Sequence, residues 1–165
     1  MKVISEEQKF RNLLIYTALG ASYILSLYHF FKDWDSIQTK DLKTKLIAVS
    51  AFLIINLVVI IFIYIKLKTK IDEKGIHYQY VPFHRNEKLI AWNEISKVII
   101  KKYNPLAYGG WGIKFNLLNS HEKHFTVSGN MGIFIFLKNG KTILLGTKKP
   151  NEIQLVLNNY QEKLN

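Results

Sequence analysis

The 165-residue chain contains no cysteine. This excludes a disulfide framework, a thiolate metal site and a cysteine nucleophile, and leaves the redox compartment open. Carboxylates are scarce, with 12 Asp and Glu set against 23 Lys and Arg for a net charge of +11. Glu87, Glu94, Glu122 and Glu152 are well separated, so no carboxylate pair for acid–base hydrolysis is visible. There is no run of five or more basic residues, and the lysines are spread over many short segments, which argues against a nucleic-acid footprint. Neither 13–31 nor 46–65 contains Asp, Glu, Lys or Arg, and 14 residues separate the two stretches.

At 1.5 Å rise per residue, about 20 helical residues cover the ~30 Å hydrocarbon core of a bilayer. The spacing therefore predicts two antiparallel spans, 13–31 and 46–65, after an N-terminal tail over 1–12. Lys9 and Arg11 precede the first stretch as in a signal peptide. That stretch is too long for a signal core, is interrupted by Tyr16, Tyr23 and Tyr28, and lacks a small-residue cleavage site. It is read as retained. Tyr28, Trp34 and Tyr64 sit where interfacial aromatics belong. Six basic residues (Lys2, Lys9, Arg11, Lys66, Lys68 and Lys70) flank the ends beside the termini, against Lys32, Lys40, Lys43 and Lys45 between the spans. The bias predicts a multi-pass protein of the inner (plasma) membrane with both termini cytoplasmic.

Ala18, Ser22 and Ser26 recur every four residues, a small-residue stripe that lets helices approach closely in lipid. Asn56 lies at the centre of the second span, at about the depth of Ser22. An unpaired amide in hydrocarbon is costly, so Asn56 is expected to meet Ser22 within the hairpin, a second copy of the chain, or a transported solute.

From residue 66 the pattern changes. Lys66, Lys68 and Lys70 alternate with Leu67, Thr69 and Ile71, the period of a half-buried strand. The segment 66–165 holds 16 basic against 7 acidic residues. A lysine beside an anionic leaflet contributes about 1 kcal/mol, so Lys66, Lys68, Lys70, Lys101 and Lys102 are candidate headgroup contacts; the first three equally suit a simple membrane boundary. Short strands are predicted over 76–80, 87–92, 96–103, 112–118, 123–127, 132–138 and 141–147. Asn139-Gly140 marks a two-residue hairpin. Pro150 opens a helix over 150–164 whose Ile153, Leu157, Tyr160 and Leu164 share a face. The expected fold class is an α+β membrane protein: a two-helix hairpin, then seven or eight antiparallel strands in a small barrel or sandwich capped by one helix.

Several strings carry a resemblance: Ala91-Trp92-Asn93-Glu94-Ile95, Tyr103-Asn104-Pro105-Leu106, Tyr108-Gly109-Gly110-Trp111-Gly112-Ile113, Val127-Ser128-Gly129-Asn130-Met131-Gly132, and Gly146-Thr147 followed by Pro150. In this order over 70–147, they resemble the bacterial pleckstrin-homology-like (PH-like) domains fused to short transmembrane hairpins. The resemblance implies a seven-stranded barrel with a C-terminal helix, and little about activity. In eukaryotic relatives the loop between the first two strands carries basic residues for phosphoinositides. Here that loop is Asp72-Glu73-Lys74-Gly75, which departs from the pattern.

The glycine-rich string around Tyr108 and Trp111 lacks the Lys-Ser/Thr ending of a phosphate-binding loop and opens a strand. It reads as a tight loop, or as a partner contact with Tyr108 and Trp111 as anchors. His121 and His124 have no acidic cluster beside them and suit an exposed hairpin better than a metal site. Ser128 has no His or Asp partner that spacing identifies. No catalytic residue, cofactor or metal is assigned. The expected function is a non-enzymatic module that binds a protein partner or self-associates at the inner membrane surface. The alternatives are an anionic-phospholipid sensor and an accessory subunit of a membrane enzyme or transporter.

Overall fold

A computed structural model describes residues 3–10, 13–107, 109–115 and 122–164. The chain forms two compact units: Met1–Phe10 together with Ile65–Asn165, and the intervening Arg11–Tyr64.

The first unit begins with a strand, β1 (Ile4–Lys9), where the sequence reading has a tail. It pairs antiparallel with β2 (Lys66–Ile71), Lys9 opposite Lys66 and Ile4 opposite Ile71, so the helical unit is an insertion between two paired strands. The inward positions of β1 hold Glu6 and Gln8, which is why no apolar alternation announces it. β3 (Gly75–Val81) and β4 (Lys88–Ala91) complete a four-stranded sheet in the order β1-β2-β3-β4. On β2 the predicted alternation is realised: Leu67, Thr69 and Ile71 are buried and the three lysines face outward. At the β2–β3 turn, the Asp72 side chain accepts the Lys74 amide at 2.9 Å. Gly75 closes that turn because a Cβ there would lie 2.1 Å from the Ile90 carbonyl oxygen.

A 3-10 turn over Trp92–Glu94 carries the chain into a second sheet. It comprises β5 (Ile95–Lys102), β6 (Gly112–Phe115), β7 (Glu122–Thr126), β8 (Met131–Leu137) and β9 (Thr142–Thr147), ordered β5-β8-β9-β7-β6. Among the described residues the architecture is thus nine strands in two sheets with no closed barrel, where the sequence reading has seven or eight strands in a barrel or sandwich. The arrangement is not wholly antiparallel either. β8 and β9 form the hairpin expected at Asn139-Gly140, with Gly140 at φ +79°. β8 occupies one edge of β9, and β7 fills the other edge running parallel to it. The sheet buries both faces: Ile133, Ile135 and Leu145 on one, Phe134 and Leu144 with Tyr103 on the other.

The C-terminal helix α4 (Pro150–Asn158) buries Ile153, Val156 and Leu157. It is shorter than the expected 150–164. The Asn159 side chain donates to the Leu155 carbonyl at 2.8 Å, satisfying a terminal acceptor. Tyr160 then stacks on Trp92 with ring centroids 5.1 Å apart, and Gln161–Leu164 continues only as a 3-10 turn.

The second unit contains α1 (Leu13–Lys32), a short α2 (Trp34–Thr39) and α3 (Leu42–Tyr64). Among the described residues one helix, α3, is long and apolar enough to cross a membrane, with a mean hydropathy of 3.1 over its most apolar 18 residues. It starts four residues before the uncharged stretch because Asp41 caps it, accepting the amides of Lys43 and Thr44 and the Thr44 hydroxyl. The expected Asn56–Ser22 pairing is replaced by bonds within each helix. Asn56 Nδ2 donates to the Phe52 carbonyl at 2.8 Å and Ser22 Oγ to Leu19 at 3.0 Å, so neither polar group needs the other.

Candidate functional site

The five candidate lysines lie on two different sheets. Lys66, Lys68 and Lys70 stand on the outer face of β2, while Lys101 and Lys102 end β5 in the other sheet. On β2, local carboxylates engage the outer two. Lys66 lies 3.6 Å from Glu7, and Lys70 lies 2.9 Å from Asp72. Asp72 also meets His77 Nε2 at 3.0 Å. Burial pushes the Asp72 carboxyl up, but the hydrogen bonds from Lys70, the Lys74 amide and His77 prevail and hold it well below the usual carboxylate range. The same pair raises the Lys70 ammonium, first through its hydrogen bond to Asp72. This is a charge cluster closed on itself.

The second sheet is different in composition. Residues 95–147 carry seven lysines and a single carboxylate, Glu122, whereas residues 1–9 and 65–94 carry eight basic and six acidic side chains. Glu122 lies beside His124, 3.7 Å from its Nε2. Lys101 places its ammonium 4.4 Å from the centre of the Phe134 ring, a cation–π contact that leaves the charge at the surface. No ion pair with a carboxylate is described for Lys97, Lys101, Lys102 or Lys114.

The glycine-rich loop leaves this sheet directly after Lys102. Its backbone folds on itself: the Gly109 amide donates to Leu106 at 2.9 Å and the Gly110 amide to Pro105 at 2.6 Å. Gly109 and Gly110 both have positive φ, +73° and +93°, which accounts for two glycines in succession. Trp111 Nε1 donates to the Gly129 carbonyl at 2.9 Å, and the Tyr103 hydroxyl donates to the same oxygen at 3.2 Å. Lys114 Nζ donates to the Gly109 carbonyl. The Tyr103–Gly112 and Val127–Gly132 strings, separate in sequence, are therefore one docked pair of loops. Trp111 spends its indole N–H inside this dock, and Tyr108 lies outside the described residues. At the tip, Leu106 is 84% exposed, more than any other large apolar side chain described. No sequence signal marks Leu106 apart from the Asn104-Pro105 turn before it.

His84 Nδ1 accepts the Tyr80 amide at 3.2 Å, and its ring lies edge-on to Phe125. Burial, then the charges of Lys88 and Lys123, lower its pKa; burial chiefly does the same for His124, with Lys114 assisting against Glu122. Both rings are neutral near pH 7. Burial pushes the Tyr80 phenol up to about 12, and its hydroxyl donates to the Thr126 carbonyl. Ser128 Oγ is buried with no hydrogen-bond partner among the described residues. No group of three His, Asp or Glu placed to hold a metal occurs among the described residues, and His121 lies outside them.

Glu6, missed in the sequence, is 6% exposed and clasps the far end of the chain. Its carboxylate accepts the Thr147 hydroxyl at 2.8 Å and the Lys148 amide at 2.7 Å, while Gln8 donates to the Gly146 carbonyl at 2.6 Å.

In the helical unit a cavity of about 430 Å³ opens between α1 and α3, with Ser22 and Ser26 on one wall and Ala48 and Ala51 on the other. Ala18, the third member of the predicted stripe, is exposed on α1 and is not part of that wall. Comparison with family models, with curated proteins and with solved structures finds no match to this chain.

Proposed function

We propose that the chain is a membrane-anchored, non-enzymatic interaction module whose PH-like sheet unit meets a protein partner or a second copy of the chain at the inner surface of the cell membrane. The observation that carries the reading is α3, a 23-residue helix containing an 18-residue stretch of mean hydropathy 3.1. Outside a membrane, a surface this apolar requires a protein cover. In the proposal α1 crosses as well, forming the multi-pass hairpin, and both termini lie in the cytoplasm. The resemblance of the 70–147 strings to PH-like domains supports an adaptor role and brings no cofactor with it.

Alkaline extraction of membranes containing the full chain tests the anchor; the chain is expected to stay with the lipid. Cross-linking in native membranes followed by purification tests the module. A recurrent partner or a homo-oligomer is the expected product, and a strictly monomeric chain with nothing attached would sink the interaction reading.

A further inference from the structure

β5 spans eight residues, the most of any described strand, yet it stands at one end of its sheet and pairs only with β8. The other edge strands are shorter: six residues for β1 and four each for β4 and β6. A long open edge is unusual, because its unpaired N–H and C=O groups invite a further strand. The register shows which groups are open. The Tyr103 amide donates to the Asn130 carbonyl at 2.8 Å, in step with the pairing of Lys101 with Gly132 and of Ile99 with Phe134. Bonded residues alternate along an antiparallel ladder. Lys97, Ile99 and Lys101 therefore turn their backbone groups to β8, and Val98, Ile100 and Lys102 turn theirs outward. None of those outward groups has a hydrogen-bond partner among the described residues. Val98 and Ile100 lie opposite Ile135 and Ile133, both fully buried, but are themselves only half-buried, so the core face runs out to this edge. On the other face Ile99 is half-buried between the exposed Lys97 and Lys101.

We propose that the outer edge of β5 takes up an extended segment of a protein partner as a sixth strand of the sheet, a segment in which apolar and acidic side chains alternate. Its backbone bonds to Val98, Ile100 and Lys102; its apolar side chains extend the face of Val98 and Ile100, and its carboxylates meet Lys97 and Lys101. Charge selects this occupant over a second copy. Two β5 edges side by side would gather three lysines from each chain, and the sequence from 95 to 121 holds no carboxylate to offset them. The same lysines keep the apolar Val98-Ile99-Ile100 run from pairing indiscriminately, so they exclude wrong strands as well as attract the right one. The inference rests on the interaction-module reading and narrows it to one kind of partner.

The test uses the full chain in phosphatidylcholine nanodiscs and two fluorescent synthetic peptides, one alternating Val with Glu and the other Val with Lys. The Glu peptide is expected to bind and the Lys peptide is not. Amide hydrogen exchange then locates the binding. The Lys97, Ile99 and Lys101 amides should exchange slowly throughout. Those of Val98, Ile100 and Lys102 should exchange fast in the free protein and slow severalfold with the Glu peptide. Ile100→Pro removes one outward N–H that the fold does not use, while Ile100→Ala removes the same apolar side chain and keeps the N–H. The alanine variant should retain most of the binding and the proline variant should lose it. Lys97→Glu with Lys102→Glu should reverse the preference between the peptides. No binding of the Glu peptide, equal binding of both peptides, unchanged exchange at 98, 100 and 102, or equal binding by the proline and alanine variants would overturn the proposal. The exchange measurement needs no variant, so it decides the matter even where the proline chain fails to fold. Cross-linking in native membranes separates the two readings. A strictly monomeric chain sinks the interaction module and the edge with it, whereas a partner captured equally by Ile100→Pro sinks the edge alone.

Discussion

On the first sheet, Lys66 and Lys70 lie 3.6 and 2.9 Å from Glu7 and Asp72; on the second, seven lysines share one glutamate, which sits beside His124. The two sheets carry nearly equal numbers of basic residues, so a count of lysines does not distinguish them. The placement of carboxylates does. A lysine whose charge is met by a neighbour on its own sheet offers little to an outside anion, while one without such a neighbour keeps its full long-range field. A row such as Lys66-Leu67-Lys68-Thr69-Lys70 looks like the obvious basic surface in sequence. In the fold it is the more nearly neutral of the two.

The comparison can be pressed hardest at the backbone. Each sheet has a glycine where a methyl group collides, but with different neighbours. Gly75→Ala drives a Cβ against the Ile90 carbonyl oxygen, which backbone pairing holds in place, and is expected to cost about 3 kcal/mol or more. Gly132→Ala meets the Leu144 side chain at 2.3 Å, which can rotate at some strain, so about 1–3 kcal/mol is expected. Urea midpoints of the two variants should fall in that order; the reverse order would mean that the first sheet yields more readily than its pairing implies.

Next comes the clasp that joins the sheets. Glu6→Ala leaves the Thr147 hydroxyl and the Lys148 amide without their acceptor, and a loss of about 2 kcal/mol in equilibrium unfolding is expected. Glu6→Gln keeps one acceptor oxygen and should lose less.

A smaller effect should follow pH. The folded-state pKa values of His84 and His124 are depressed, so the unfolded chain takes up protons first as pH falls. Their contribution is fully present above the ordinary histidine value of about 6.5 and declines as pH drops from there toward the folded values. The unfolding midpoint should therefore decrease as pH falls below about 6.5. Replacing both histidines with glutamine should flatten that slope, and an unchanged slope would place the sensitivity elsewhere.

The smallest stability change is expected from the lysines themselves. Lys66→Gln or Lys70→Gln removes one exposed ion pair and should lower the thermal midpoint only slightly. Lys102→Gln on the second sheet should alter it hardly at all. A thermal melt that separates Lys102→Gln strongly from wild type would show an ion pair on the second sheet and weaken the contrast.

Much of this fold was legible in the sequence, and the exceptions have a common cause. The β2 alternation, the Asn139-Gly140 hairpin, the Pro150 start of α4 and the apolar stretch of α3 are local signals, complete within a few residues. What escaped depends on distant pairing. β1 looks like a tail because Glu6 and Gln8 face polar atoms of Gly146, Thr147 and Lys148 instead of a core. The parallel match of β7 with β9 has no hairpin to announce it. Asn56 invited an interhelical partner, yet the Phe52 carbonyl one turn away satisfies it. The Tyr108–Trp111 anchor was read from residue type alone. The fold ties the Trp111 indole to Gly129 and leaves Leu106 at the tip, a role that residue type does not disclose.

The insertion of the helical unit between β1 and β2 has a consequence for biosynthesis. β1 leaves the ribosome before the helices, and β2 follows only after α1, α2 and α3 have emerged. The Glu6 carboxylate waits longer still, because Thr147 is 141 residues downstream. At roughly 5–20 residues per second, that delay is on the order of ten seconds. The polar makeup of Ile4–Lys9 suits this interval: a strand rich in Ser, Glu, Gln and Lys can remain in water without aggregating while α1, α2 and α3 emerge. The order of synthesis thus brings out the helices first, and the sheet unit closes only once Thr147 has emerged.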